Sequence, residues 1–224
     1  MSSYITATLE LDKGFFNKFA KNVAKDLVIL MKAAIDRAIP RIQKRVQRAV
    51  LLRLQGAPEY SSIANSVLRF ELGLPDGGER ISAITERWVS GISVTPTTKG
   101  LGGISIGILR SDWADVLSMP EAIFSYVQSK RTHRLVQKKI DLEWLRWLLL
   151  EGGATIISDY HFASKGSPGG GKGRAGGGLM ARRQSWKVPA QFQGTESDNF
   201  ATRALIGIES EIDAIVRREL TKAT

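Results

Sequence analysis

Apolar and polar positions nearly alternate over residues 4–11. Tyr4, Thr6, Thr8 and Glu10 lie on one side and Ile5, Ala7, Leu9 and Leu11 on the other, the period of a short half-buried strand. From Phe16 the period lengthens. Phe16, Phe19/Ala20, Val23, Leu27, Leu30/Met31, Ala34 and Ala38 share one helical stripe, with Lys18, Lys21, Lys25, Lys32 and Arg37 mostly off it, which predicts a long amphipathic helix. Pro40 has no N–H for the helical ladder, so it either kinks this helix or starts a second one carrying Ile42, Val46, Ala49/Val50 and Leu54. Gly56-Ala57-Pro58 ends it.

Helical spacing returns in Tyr60, Ile63/Ala64, Val67/Leu68 and Leu72, and Leu74-Pro75-Asp76-Gly77-Gly78 has the composition of a turn. Residues 81–110 read as sheet. Trp88, Ser90, Ile92 and Val94 precede Thr95-Pro96-Thr97-Thr98-Lys99-Gly100, and Ile104, Ile106 and Ile108 alternate with Ser105, Gly107 and Leu109 behind it, so an antiparallel hairpin is expected. Residues 120–150 take helix-like spacing in two pieces, the second at 141–150. There Glu143, Arg146 and Glu151 are expected outside and Leu142, Trp144, Leu145, Trp147 and Leu148 inside. A strand at 155–162 follows. The chain ends in Thr195-Glu196-Ser197-Asp198, which resembles a capping box, ahead of a helix carrying Phe200, Ala204/Leu205, Ile208, Ile212 and Ile215/Val216. The fold class is therefore α+β, with long N-terminal helices and a C-terminal helix packed on a small antiparallel sheet. Residues 1–224 are read as a single domain, with 111–150 as a candidate helical insertion.

The stretch 164–183 changes the picture. It holds eight glycines and the cations Lys165, Lys172, Arg174, Arg182 and Arg183 with no acid among them. Such a composition buries too little surface to order itself, and reads as a flexible Gly-rich basic loop that a partner would fix. Gly166 through Lys172 fits seven positions of a phosphate-binding loop, but Gly173 stands where a Ser or Thr hydroxyl would hold Mg²⁺, and Arg174-Ala175-Gly176-Gly177-Gly178 is no helix start. A flexible loop is the better reading.

Charge narrows the partners further. The chain carries 32 Lys and Arg against 22 Asp and Glu, a net charge of +10, which favours a polyanion over a basic protein. Residues 1–56 alone hold eleven cations against four acids. That helix suits non-specific contact with phosphate, whereas no helix-turn-helix, zinc-finger or single-strand-binding signature points to base readout. The five tryptophans read as core or interface anchors.

Chemistry is poorly represented. There are no cysteines, which removes disulfides, thiolate metal sites and cysteine nucleophiles together. His133 sits in a basic run, and His161 has only Asp159 on the same face of the expected strand, a structural hydrogen bond rather than a catalytic base. Glu209, Glu211 and Asp213 point in different directions on a helix, as a solvated face would. No catalytic residue, metal site or cofactor is expected. No apolar stretch approaches the roughly 18 residues a membrane span needs, and Met1-Ser2-Ser3-Tyr4 lacks the features of a secretory signal. The expectation is a protein made and used, or packaged, in the cytoplasm.

The order of features resembles the neck and tail-completion proteins of tailed bacteriophages, which join the portal side of the head to the tail tube. Four elements carry the resemblance: the first strand running into a Lys/Arg-rich helix; Pro58-Glu59-Tyr60 with Leu68-Arg69-Phe70-Glu71-Leu72-Gly73-Leu74-Pro75; the Gly-rich basic loop after a strand; and Trp186-Lys187-Val188-Pro189 with Gly194-Thr195, Asn199-Phe200 and Arg203-Ala204-Leu205 before the last helix. The resemblance implies a virion structural protein that is not an enzyme, assembled as a ring of six or twelve copies around the DNA channel. Its neighbours would be portal-side, neck or tail proteins, with no membrane partner. It would reside in the virion, and in the host cytoplasm during assembly. The loop cations Lys165, Lys172, Arg174, Arg182 and Arg183 become candidate contacts to a neighbouring subunit or to DNA. Many relatives are shorter, and 111–150 has no counterpart in them. Two other readings stay open: a non-sequence-specific nucleic-acid-binding accessory protein, and a small enzyme using Lys172 or His161.

Overall fold

The structure is a computed structural model that describes residues 6–8, 21–72, 74, 76–97, 103–108, 113–131, 135–153, 160–164, 178–182 and 188–223. The chain divides into two compact units, each assembled from separate stretches of sequence. One comprises 1–52, 88–112 and 207–224, the other 53–87 and 113–206. The fold is α+β.

In the first unit, strand β1 (Thr6–Thr8) and strands β2 (Ser93–Thr97) and β3 (Gly103–Gly107) form an antiparallel sheet in the order β1-β3-β2. The hairpin expected from the isoleucine alternation is present, with Val94 opposite Ile106 and Pro96 opposite Ile104. Ile92, Val94, Ile104, Ile106 and Ile108 are buried, so period 2 places them on one face. Pro96 has no ladder N–H to give and lies on the edge strand β2, where that loss is tolerated.

Helix α1 (Lys21–Gln55) runs unbroken through Pro40, so of the two alternatives there the start of a second helix is not realised. Ala34, Ala38, Ile42, Val46, Ala49 and Val50 are buried as the spacing predicts, each large aliphatic side chain contributing about 1.5–3 kcal/mol. Leu30 departs from the expected stripe and is 64% exposed, beside Ile29. Gln47 Nε2 donates to the Ile92 carbonyl at 3.5 Å, tying the helix to the chain just before β2. Because Pro40 is exposed in the helix interior, Pro40→Ala should stabilise the protein by about 2 kcal/mol, the helical penalty less the unfolded-state entropy that proline removes. Urea unfolding measures this as a raised midpoint at constant slope.

The C-terminal segment corrects one expectation. Instead of a single helix capped at 195–198, α7 (Phe200–Ala204) and α8 (Glu209–Thr221) are separate. The cap of α7 is Asn199, whose side chain accepts from the N–H groups of Ala201 and Thr202 while Thr202 Oγ1 accepts from Asn199 N. Thr195 closes the preceding turn, accepting from Asp198 N at 3.1 Å. Between the helices Gly207 takes φ +74, a left-handed conformation that stops a helix and suits glycine.

In the second unit, α2 (Pro58–Asn65) and α3 (Val67–Leu72) replace one predicted helix. They are separated at Ser66, and the Ser62 hydroxyl accepts from Leu68 N at 3.0 Å across the break. Helix α4 (Gly77–Ser90) overturns the sheet reading of 81–90. Ile81, Ile84 and Thr85 are fully or almost fully buried at i, i+3 and i+4, a helical stripe that the alternation from Trp88 onward obscured.

The helical reading of 120–140, and with it a wholly helical insertion at 111–150, is also corrected. Short helix α5 (Ala114–Leu117) leads through a 3₁₀ turn to a hairpin of β4 (Phe124–Arg131) and β5 (Leu135–Leu142), then to α6 (Trp144–Leu149). Phe124 faces Leu142 and Tyr126 faces Ile140 in the register. Seven polar residues in a row, 128–134, interrupt any apolar helical stripe, and strand pairing satisfies the backbone without one. The expected inside positions Leu142, Trp144, Leu145 and Leu148 are buried, while Trp147 is half-buried. Trp144 Nε1 donates to the Glu121 carbonyl at 2.9 Å. Arg80 of α4 anchors the hairpin's start, donating to the carbonyls of Pro120, Glu121 and Ile123 and lying 5.6 Å from the Phe124 ring centre.

A second hairpin, β6 (Tyr160–Ser164) with β7 (Gly178–Arg182), brackets the Gly-rich stretch. The structure corrects the ends of the expected loop 164–183, where Ser164 and residues 178–182 are strand. Residues 165–177 and 183 lie outside the described residues.

Candidate nucleic-acid interface

Residues 37–55 of α1 contain six cations and no carboxylate. At 100° per residue, Arg37, Arg41, Lys44, Arg45 and Arg48 fall within an arc of about 100° that flanks the buried stripe. All five are exposed. The fold thus turns a composition bias into a surface: burying Ala38, Ile42, Val46 and Ala49 presents the cations between them as one row.

Three of these arginines repeat every four residues, and each is held by its Nε. Arg37 Nε donates to the Ala33 carbonyl at 3.2 Å. Arg41 Nε lies 3.5 Å from Glu219 Oε2, and Arg45 Nε lies 2.8 Å from Glu219 Oε1. Glu219 belongs to α8 and its side chain is only 2% exposed, while those of Arg41 and Arg45 are about half exposed. Lys222 Nζ adds a more distant cation, 3.7 Å from the same carboxylate. The Arg45 contact is a charge pair without hydrogen-bond alignment, since Oε1 accepts no hydrogen bond. Three cations around one buried carboxylate leave this part of the surface positive. The terminal nitrogens of Arg37, Arg41 and Arg45 have no hydrogen-bond partner among the described residues.

A second charged cluster lies in the other unit. Glu59, buried at the start of α2, takes both Nε and Nη2 of Arg203 on Oε1 at 3.2 and 2.6 Å. Arg203 Nη1 donates to Asp198 Oδ1 at 2.9 Å and to the Gln193 carbonyl at 3.2 Å. Burial opposes the guanidinium charge, but the hydrogen bonds and charges of Glu59 and Asp198 outweigh it and raise the Arg203 pKa. All three guanidinium nitrogens of Arg203 are used internally, so this cluster fastens the fold.

No family model, curated protein or solved structure matches the chain.

The residues singled out in the sequence fare unevenly. Lys165, Lys172, Arg174 and Arg183 lie outside the described residues, as do His133 and Asp159. Arg182 ends β7 opposite Tyr160, and His161 stands opposite Ala181 in the same hairpin. Glu209 and Glu211 are exposed and Asp213 pairs with Arg217 at 2.7 Å, the solvated face expected. Of the tryptophans, Trp113 and Trp144 are core. Among the described residues no three His, Asp or Glu side chains are grouped to hold a metal ion, and no helix is long and apolar enough to cross a membrane.

Sequence reasoning missed Glu219 and the Glu59–Arg203 pair. Glu219 had a legible signal, because it continues the stripe Ile208, Ile212, Ile215/Val216, and an acid on an apolar stripe is buried and needs a partner. Glu59 and Arg203 are 144 residues apart and had none.

Proposed function

We propose that this chain is a structural subunit of the phage neck or tail, forming a homo-oligomeric ring that joins head to tail around the DNA channel. The observation that carries the reading is the cationic face of α1 over 37–55, a stretch of helix with no carboxylate of its own. A channel subunit must attract DNA without gripping particular bases, and a row of cations without base-reading side chains suits that requirement. Rings of six or twelve need surfaces that reach a neighbour, and the basic stretch 164–183, from the end of β6 past β7, is the candidate, with Lys165, Lys172, Arg174, Arg182 and Arg183 as its contacts. The role is mechanical: sealing or extending the channel and presenting a docking surface for adjoining portal-side, neck or tail rings.

A second reading, a non-sequence-specific nucleic-acid-binding accessory protein acting as a monomer or dimer, draws on the same helix face. Native mass at low and moderate salt, with negative-stain images of the eluted species, separates the two. The expected result is a closed ring that persists at moderate salt. A monomer or dimer under all conditions, including with purified portal-side or tail rings, would overturn the ring in favour of the accessory protein.

A further inference from the structure

We propose that Arg37, Arg41 and Arg45 form a ladder that grips the phosphate backbone of double-stranded DNA, flanked by Lys44 and Arg48, with Glu219 as its positioning residue. The inference rests on the preceding reading only in taking DNA as the polyanion, and it assigns the surface that meets it.

The ladder has the geometry of a linear polyanion reader. Its three guanidiniums rise about 6 Å per step along α1, so the row spans about 12 Å, and a helix can offer such a row to successive phosphates of one strand. Each arginine has its Nε on an internal partner, Arg37 in a hydrogen bond to the Ala33 carbonyl and Arg41 and Arg45 in ion pairs with Glu219, which leaves the terminal nitrogens for a ligand. A guanidinium held this way has already lost much of the rotamer freedom that binding would otherwise cost, and its planar fork matches phosphate oxygens.

The exposed residues of 37–48 include no Asn, Gln or Ser, and Gln43 and Gln47 are half-buried, Gln47 being bonded to the Ile92 carbonyl. The face therefore reads charge along a backbone and not base edges. An acidic protein helix could also meet this row, but the chain's net charge of +10 favours an extended polyanion such as duplex DNA, which carries a charge every few ångströms along its whole length.

Glu219 subtracts a charge, which taken alone would weaken the site. Its position argues otherwise: a carboxylate 98% buried between the helices touches both Arg41 and Arg45 and holds them one turn apart. The two roles predict opposite outcomes. If the carboxylate only dilutes positive charge, Glu219→Gln tightens DNA binding; if it positions the ladder, the same change weakens binding although net charge rises.

The test is fluorescence anisotropy of the full-length chain with a short labelled duplex between about 50 and 200 mM salt. If all five cations meet phosphates, the affinity should fall with a logarithmic salt slope of about 4–5 per bound chain. Lys44→Ala/Arg48→Ala removes two cations without orphaning Glu219. It should weaken binding about tenfold near 0.1 M salt and reduce the slope by about 2. Arg37→Lys/Arg41→Lys/Arg45→Lys keeps every charge and keeps Glu219 paired. It should leave the slope unchanged and weaken binding by a factor of about 3–10 through loss of the forks. Should Glu219→Gln fail to fold, the lysine variant carries the positioning argument.

Parent-like binding by both multiple variants would overturn the ladder, and so would binding of polyglutamate as tight as the duplex, which would make the partner an acidic protein. Intact rings whose DNA binding ignores these substitutions would overturn the ladder alone. Absence of rings with the expected binding changes would overturn the ring alone.

Discussion

Arg203→Ala should lower the free energy of unfolding by about 3 kcal/mol. For a chain of this length that corresponds to a fall of about 6–10 °C in melting temperature. The cost comes less from the lost pair than from what remains, because Glu59 is 3% exposed and its only close cation among the described residues is Arg203. Without the guanidinium, a carboxylate is stranded in a site too dry to solvate it. The Asp198 and Gln193 contacts vanish as well, loosening the turn that precedes α7.

A double-mutant cycle in urea separates these contributions. Glu59→Met/Arg203→Met should recover most of the loss, since two apolar side chains of similar volume need no pairing. If Arg203→Ala cost less than about 1 kcal/mol, Glu59 would have to reach water, and the role of this pair as a fastener would be wrong.

Gly194→Ala should be comparably severe, at about 3 kcal/mol, for a steric reason. A methyl group built there would overlap the Leu148 carbonyl oxygen and stand 2.6 Å from its carbon and 3.0 Å from Asn199 Cβ. Backbone atoms cannot rotate aside as a side chain would. The segment must therefore lift from the end of α6, which would break the Gly152 N to Gly194 carbonyl bond of 2.9 Å and the Asn199 Nδ2 to Leu149 carbonyl bond of 3.3 Å. The requirement is for space alone, since Gly194 does not occupy the left-handed region.

Gly153→Ala is the matching control. Nothing lies within 4 Å of a methyl group there, so it should change stability by less than about 0.5 kcal/mol. Thermal unfolding of the two variants side by side checks both statements, and equal effects would mean that the 188–199 segment does not dock on α6 as described.

Both predictions concern contacts between residues far apart in the chain, and these mark where sequence reasoning stopped. The burial of α1 residues Ala34 through Val50, and the hairpin of β2 and β3, are legible because hydrophobic period is a local property that burial rewards directly. Ile104, Ile106 and Ile108 could satisfy one face only as a strand. The same reasoning slipped wherever two periods fitted. Trp88, Ser90, Ile92 and Val94 alternate, yet Trp88 and Ser90 belong to α4, because Ile81, Ile84 and Thr85 extend a helical stripe into them. Residues 120–140 offered scattered apolar positions that suggest a helix, but residues 124–131 pair with 135–142 as strands β4 and β5. The break at Gly207 depends on a single left-handed residue within an otherwise continuous stripe.

The amino-acid sequence by itself determined the α+β class, the long amphipathic helix, the hairpin at 93–107 and an excess of positive charge concentrated in 1–56. It also determined that thiolate chemistry is impossible, since there is no cysteine. Only the tertiary structure decided which cations share a face, because that depends on which side of α1 is buried. It alone brought Glu219 of α8 onto Arg41 and Arg45, and Glu59 onto Arg203. Local pattern follows from the preferences of neighbouring residues, whereas these charge pairs form only when segments distant in sequence pack together and remove water from the two carboxylates.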